Sequence, residues 1–160
     1  MTRDEQFMQL ALAEAQKAAQ NGEVPVGCVI VHRDQVIAVG RNRREKGKSA
    51  LAHAEIVAIR RACRALGGWR LWECELYVTL EPCPMCAGAI LNARIPKVVF
   101  GAADEKAGAM GSVFDLFSFP LNHKPLVVSG VCAEESKALL QAFFQKLRKR
   151  QEKRWKKPTE

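Results

Sequence analysis

The alternation of apolar and polar positions divides the chain into helices and strands. Apolar residues that recur at helical spacing predict helices over residues 3–20 and 53–66, with further helices over 84–92 and from 134 onward. Short runs rich in apolar and β-branched residues predict five strands, over residues 24–31, 36–39, 75–80, 97–101 and 125–129. Helices and strands therefore follow one another along most of the chain.

The order of these elements predicts the fold class. The polar tetrapeptide at residues 32–35 is typical of a hairpin turn, so the first two strands are expected to be antiparallel. The strand–helix alternation that follows favours an α/β sandwich with a mixed sheet. Because the sequence has no internal repeat and no low-complexity linker, residues 1–160 are expected to form a single domain.

Composition narrows the class of protein. Hydrophobic residues make up 48% of the 160 positions and charged residues 26%, which is typical of a globular domain in water. The sequence has neither an apolar run long enough to span a membrane nor a signal peptide, so we expect a cytoplasmic protein without membrane association. In that reducing compartment, the six cysteines are expected to be thiols rather than disulfides.

The net charge of +8 is concentrated in two segments. Residues 145–157 carry eight basic side chains and one acidic side chain, and residues 41–48 carry five basic and one acidic, so the rest of the chain sums to −3. Two local basic patches indicate a polyanionic partner, with the tail at about 146–160 as one of its contacts. Taken alone, the tail is equally consistent with a solvated helix face.

The stretch from Leu80 to Cys86 offers two sulfur ligands. Cys83 and Cys86 are three residues apart, and Pro84 suits the first turn of a helix that the following apolar run can continue. Both thiols would then lie on one helix face, with Cys83 at the N-terminus, where backbone N–H groups favour a thiolate. The stretch is therefore suited to binding a metal or to redox chemistry.

A third ligand and a free carboxylate occur upstream, at His53 and Glu55. His53, Cys83 and Cys86 would together leave one position of a tetrahedral zinc site open to water, as hydrolytic catalysis requires. Glu55 need not bind the metal and could carry protons. Zinc is favoured over iron by the nitrogen and sulfur ligands.

Other interpretations of the cysteines stay open from these residues alone. Cys83 and Cys86 could form a redox pair, although His53 and Glu55 have no part in that chemistry. They could also belong to a closed structural zinc site, which needs a fourth ligand. The candidates for that ligand are Cys63, Cys74, Cys132 and His123.

Three further side chains have expected positions. Phe143 and Phe144 are adjacent aromatic residues on the last helix and are expected to pack in the core, although stacking on bases is an alternative. His32 lies in the predicted hairpin turn and is expected to be exposed to solvent.

The combined pattern, His-x-Glu followed by Pro-Cys-x-x-Cys, resembles that of the zinc nucleobase deaminases. Other segments resemble, more narrowly, the bacterial tRNA-specific adenosine deaminases of the cytidine/deoxycytidylate deaminase superfamily. These segments cover residues from about 5 to 150 and include 23–27, Asn42, 52–55, 77–83, 85–89, 94–95 and 98–102, with Asp104, Lys106 and Gly108. Ala103 departs from the family, in which a basic or polar residue is expected at this position.

The resemblance implies a three-layer α/β/α cytidine-deaminase-like fold with a mixed five-stranded sheet, and one Zn²⁺ per subunit on His53, Cys83 and Cys86. It implies that Glu55 is the proton shuttle. Substrate contacts are implied at five positions, which are Val26, Asn42, Ala54, Asp104 and Lys106. The implied reaction is the hydrolytic deamination of adenosine to inosine at the wobble position of a tRNA anticodon stem-loop, by a homodimer.

Two rival functions remain, one within the same superfamily and one from another class. The first is a deaminase of a free base or nucleoside, such as guanine or cytidine, which would have no need of two basic patches. The second is a zinc module that binds nucleic acid without catalysis, which would have no need of Glu55. The effect of substitution at Glu55 therefore separates the catalytic hypotheses from the module.

Overall fold

The computed structural model describes residues 1–155, and the predicted basic tail at 146–160 therefore lies partly outside the described residues. The helices of the described part are α1 (Arg3–Gln20), α2 (Ala54–Leu66), α3 (Pro84–Ala93) and α4 (Ala133–Trp155), with a short 3₁₀ helix at Leu116–Ser118. The strands are β1 (Gly27–His32), β2 (Gln35–Arg41), β3 (Cys74–Leu80), β4 (Lys97–Ala102) and β5 (Leu126–Val128).

The strands form one mixed sheet in the order β2-β1-β3-β4-β5. β1 is antiparallel to both β2 and β3, whereas β3, β4 and β5 run parallel to one another. The parallel strands end at the same edge of the sheet, so the segments that follow β3 and β4 emerge side by side. This edge carries the residues from Glu81 onward and from Ala103 onward.

Alternation along the strands sends neighbouring side chains to opposite faces of the sheet, and each face has its own core. Ile30, Leu76 and Val98 pack against buried residues of α2 and α3. Val29, Tyr77 and Val99 pack against α1, with Leu139 of α4 beside them. The sheet is therefore covered on both faces, which confirms the predicted three-layer α/β/α fold with five strands.

The β1–β2 hairpin shows how local sequence sets the topology. Arg33 and Asp34 have φ angles of 49° and 63°, and together they close a two-residue turn of the kind that suits the twist of paired strands. At the other end of β1, Gly27 lies against α1. A Cβ on Gly27 would come 2.5 Å from the backbone nitrogen of Ala15, so only glycine lets the helix pack this closely.

Several predicted boundaries and environments were wrong. β1 begins at Gly27 rather than at residue 24, because residues 24–26 form a tight turn in which the Val26 N–H donates to the Val24 carbonyl at 2.8 Å. His32 is the last residue of β1 and is partly buried, 3.6 Å from Glu73, rather than exposed in the turn. Phe144 is 41% exposed rather than in the core.

Phe143 is only half-buried, and it packs edge-on against Phe144 at a centroid distance of 5.4 Å. Both phenylalanines lie outside the core because α4 is 23 residues long and most of the helix beyond Leu140 is exposed. Among residues 1–155, no helix has both the length and the hydropathy needed to span a bilayer.

Candidate active site

Two helix starts bring three candidate ligands together. His53 is the N-cap residue of α2, and Cys83 is the N-cap residue of α3, with Pro84 in the first turn as predicted. Neither N-cap side chain forms a capping hydrogen bond with its own helix, so both are available to a ligand. His53 was predicted inside α2, but it instead precedes the first helical residue, which leaves only Glu55 in the first turn.

The donor atoms have the spacing of a zinc site. The Nδ1 atom of His53 is 3.6 Å from Sγ of Cys83 and 3.5 Å from Sγ of Cys86. Zinc–sulfur and zinc–nitrogen bonds of ordinary length, at tetrahedral angles, separate sulfur from nitrogen by about 3.6 Å. All three donor atoms lie within 4.8 Å of one another. The residues present therefore fit a zinc ion with three protein ligands.

The charge state of the ligands also suits a metal. The hydrogen bond from Cys86 lowers the pKa of Cys83 to about 4, with a further contribution from His53, so Cys83 is a thiolate at neutral pH. The same bond, together with burial, raises the pKa of Cys86. A cation bound between the two sulfurs would favour the thiolate of both.

Glu55 is placed beside this cluster in the first turn of α2. Its side chain is 4% exposed, and burial raises its pKa to about 6. A carboxyl group with a pKa close to neutral can both accept and release a proton at physiological pH, which general acid–base catalysis requires. Burial, a raised pKa and the neighbouring cluster of three metal-binding side chains together indicate that Glu55 is a functional carboxylate.

A cavity of about 160 Å³ opens onto the cluster. It is lined by Val24, Val26, Asn42, Arg44, His53, Ala54, Glu55, Leu80, Glu81, Cys83, Asp104 and Ala107. Four of the five predicted substrate contacts thus lie in the cavity beside the cluster. They are Val26, Asn42, Ala54 and Asp104. The fifth, Lys106, lies on the same loop as Asp104 but is exposed and outside the lining.

Two loops contribute the polar rim of this cavity. Residues 42–51 follow β2 and supply Asn42 and Arg44, while residues 103–113 follow β4 and supply Asp104. The Oδ1 atom of Asn42 accepts the Arg44 N–H at 3.2 Å, which fixes the orientation of the amide. Sequence reasoning missed Glu81, Arg44 and Ala107, because their role depends on loops that meet only in the folded chain.

The proposed fourth ligands of a closed zinc site lie elsewhere. The Nε2 atom of His123 is 2.7 Å from the Ile95 carbonyl oxygen, and Sγ of Cys63 is 3.9 Å from the Trp69 carbonyl oxygen. Cys74 is buried within β3, and Cys132 contacts Gln9. Within residues 1–155, no fourth His, Cys, Asp or Glu joins the cluster, so the described part of the chain supports an open, three-ligand site.

Comparison with known proteins identifies relatives of this chain. Residues 1–102 match the family model for the cytidine and deoxycytidylate deaminase zinc-binding region. The tRNA-specific adenosine deaminase of Bacillus subtilis (strain 168) is 51% identical over 151 residues, covering 94% of each chain.

Two solved structures extend the comparison. One comes from biochemical and structural studies of A-to-I editing by tRNA:A34 deaminases at the wobble position. It superposes with a TM-score of 0.82 at 49% identity and covers 84% of this chain and 99% of its own. The guanine deaminase from Bacillus subtilis superposes with a TM-score of 0.63 at 39% identity and covers 78% of this chain and 79% of its own.

Proposed function

Because the chain belongs to the cytidine and deoxycytidylate deaminase family, we propose that it hydrolyses adenosine to inosine at wobble position 34 of a tRNA anticodon. The product pair is inosine and ammonia, formed from adenosine and water. The observation that carries this proposal is a buried Glu55 beside three zinc donors, in a cavity that Asn42 also lines.

His53, Cys83 and Cys86 hold the zinc ion in this proposal, with Glu55 as the proton carrier. Zinc supplies the Lewis acidity that makes a water molecule nucleophilic near neutral pH. Glu55 would accept a proton from that water as the water attacks C6, and would deliver it to N1 of adenine. It would then take the proton of the new C6 hydroxyl and pass it to the amine as the C6–N6 bond breaks. A pKa of about 6 lets the carboxyl group serve in both directions within one turnover.

The cavity wall gives each predicted contact a role toward the base. The Nδ2 atom of Asn42 forms no hydrogen bond within residues 1–155, so it is available to donate to a ring acceptor of the base. Val26 and Ala54 offer an apolar wall on which a flat base can pack. Asp104 and Lys106 are proposed to contact the nucleotides that flank the target.

The basic segments favour a nucleic acid over a free nucleoside. Arg44 lines the cavity itself, and the loop that bears it also carries Arg43, Lys46 and Lys48. These cations can hold the phosphates of an anticodon loop while the target base enters the cavity. Extruding that base costs least where it is already single-stranded. We also propose a cytoplasmic location, which suits a tRNA substrate.

We propose that the chain works as a homodimer. Supporting this, Val113 at the end of the loop at residues 103–113 is 55% exposed, and Phe114 and Phe119 in the segment that follows are 37% and 58% exposed. Large apolar side chains exposed together are typical of a surface that another chain covers. Analytical ultracentrifugation of the wild type and Phe119→Glu tests this. A dimer that Phe119→Glu dissociates supports the proposal, and a monomeric wild type contradicts it.

The second candidate function is deamination of a free base, which the likeness to a guanine deaminase favours. The deciding experiment incubates the zinc-loaded protein with an adenosine-34 anticodon stem-loop and, separately, with free guanine, adenosine and cytidine. Inosine in the stem-loop without turnover of the free compounds supports the tRNA function. Turnover of a free compound with no reaction of the stem-loop would replace it.

A further inference from the structure

Glu81, a buried carboxylate next to the metal cluster, has no role in the reaction described above. It follows β3 directly, is 3% exposed, and lies two residues before Cys83. Its oxygens accept three backbone N–H groups, from Asp104 at 3.1 Å, Met110 at 3.0 Å and Ser112 at 3.1 Å. The Ser112 hydroxyl also donates to it. Every donor belongs to the rim loop at residues 103–113.

The loop is wrapped closely around this carboxylate. A Cβ on Gly108 would overlap the carboxylate of Glu81 and would lie 2.5 Å from the Asp104 carbonyl oxygen. The Ala109 N–H donates to the Pro82 carbonyl oxygen at 2.9 Å. This adds a backbone hydrogen bond between the rim loop and the segment that carries Cys83. The position of Asp104 relative to Cys83 is thus set through Glu81.

Glu23 has the same relation to the other rim loop. It is 2% exposed, and its two oxygens accept the backbone N–H groups of Glu45 at 3.0 Å and Lys46 at 2.9 Å. The Asn42 N–H donates to the Val26 carbonyl oxygen at 3.1 Å and so connects the start of this loop to the turn that follows Glu23. Glu23 therefore holds the loop that presents Asn42 and Arg44 to the cavity.

We propose that Glu81 and Glu23 are positioning residues for the RNA, each holding one rim loop in the shape that receives the nucleotides around the target base. This inference rests on the proposed function. Their oxygens are engaged by loop donors, so both act on the RNA through Asp104, Asn42 and Arg44. Hydrogen bonds to an ionised carboxylate are the stronger kind, which suits loops that must be rigid before the RNA arrives.

The two carboxylates predict different defects. Without the Glu81 anchor, Asp104 is displaced and the protein binds the flanking nucleotides more weakly. Without the Glu23 anchor, Arg44 and its basic neighbours are displaced, so the dependence of binding on salt falls as well. The slope of log Kd against log salt falls by about 0.7 for each phosphate of a single strand that the protein no longer neutralises.

The test compares Glu81→Gln and Glu23→Gln with Glu75→Gln. Glu75 is the matched control, because it accepts hydrogen bonds from Arg3 and Tyr77 at the opposite end of β3 from Glu81. Each variant is assayed for zinc content, for kcat and KM on the stem-loop, and for the Kd of the stem-loop at several salt concentrations. Assays are run below the melting temperature, so that stability alone has no effect on the outcome.

We expect KM to rise about tenfold for Glu81→Gln and Glu23→Gln, with zinc content unchanged and kcat within about threefold of wild type. Glu75→Gln is expected to keep the wild-type KM. Wild-type KM in both folded rim variants overturns the inference, and so does loss of zinc from Glu81→Gln, which would make that residue a support for the metal ligands.

A milder variant tests the role of Glu81 if Glu81→Gln does not fold. Ser112→Ala removes one donor to Glu81 from an exposed residue, and we expect its KM to rise about threefold. An unchanged KM for Ser112→Ala then overturns the role of Glu81. Failure of the proposed function looks different, because in that case the wild type itself leaves the stem-loop unreacted.

Discussion

His53 and Cys83 occupy the same position in two different helices, since each is the N-cap residue, and their Nδ1 and Sγ atoms are 3.6 Å apart. The two helix N-termini therefore point their partial positive charge at one place. That field favours the thiolate of Cys83, which is the form that binds zinc. At Glu55 burial outweighs the field and raises the pKa to about 6.

Removal of a ligand is expected to abolish stoichiometric zinc binding. Cys83→Ser and Cys86→Ser should each lower the zinc content from one per chain to well below one, because two remaining ligands hold the ion weakly. Metal analysis after dialysis measures this. Cys63→Ser is the matched control, since Cys63 lies on α2 outside the cluster and should leave the zinc content at one. Equal loss of zinc from Cys63→Ser would contradict the assignment.

Glu55→Gln is expected to separate catalysis from binding. Glutamine keeps the size of the side chain but cannot accept a proton, so the rate of inosine formation should fall by about 10²–10⁴-fold. Zinc content and stem-loop Kd should stay close to the wild-type values. Single-turnover assays with excess enzyme measure the rate, and binding of labelled stem-loop measures the Kd. A variant that keeps the wild-type rate of inosine formation would contradict the role of Glu55 as the proton carrier.

Acid should destabilise the protein through the hydrogen bonds that Glu75 accepts from Arg3 and Tyr77 near the start of β3. Burial alone would raise the pKa of Glu75, but hydrogen bonds from Arg3 and Tyr77 outweigh it and hold that pKa below its ordinary 4.5. The unfolded chain therefore takes up a proton near pH 4.5 while the folded carboxylate is still ionised. The stabilisation is complete above that pH and is lost as the pH falls through the folded pKa.

Glu75→Gln should accordingly flatten the fall of unfolding free energy as the pH drops below about 4.5. Urea unfolding at a series of pH values measures the slope. Glu73→Gln is the control, because the ion pair of Glu73 with Arg33 is exposed and such pairs contribute little. The hydrogen bonds of Glu75 would be irrelevant to acid unfolding if both variants kept the wild-type slope.

The basic side chains of α4 are expected to contribute salt-dependent affinity for RNA. Lys149 and Lys153 are one helical turn apart and exposed. Replacing both with serine should weaken stem-loop binding and lower the slope of log Kd against log salt by about 1.4, if each lysine meets one phosphate. Removing the same charge at Lys124 and Lys137 is the matched control. Equal effects in both pairs would show only a general dependence on net charge.

Cys83 and Cys86 could be predicted from the sequence as candidate metal ligands because their geometry is local, whereas His53 lies 30 residues before Cys83 in the chain. Cys83 and Cys86 are three positions apart, and Pro84 marks the helix that places them on one face. The alternation of strands and helices predicted an α/β sandwich with a mixed sheet, and the family resemblance added the three-layer arrangement with five strands. The exposure of Phe144 could not be predicted, because it depends on how far α4 extends beyond the sheet that it covers.

Glu81 and Glu23 could not be predicted for a different reason. A glutamate between a strand and a proline gives no local signal, and its partners lie 23 to 31 residues further on. Glu23 likewise meets amides 22 and 23 residues away. Such contacts become visible only when the loops after β2 and β4 are folded back beside the cavity.

The two rim loops are held mostly by their backbone N–H groups, so the conformation of each loop depends little on its own side chains. Substitutions at Glu45 or Lys46, which are exposed, leave the backbone donors to Glu23 in place. New side chains can thus be tried on either rim without rebuilding the loop beneath them. The chain is consequently a suitable starting point for evolving altered substrate preference, with library positions in the loops and both carboxylates left unchanged.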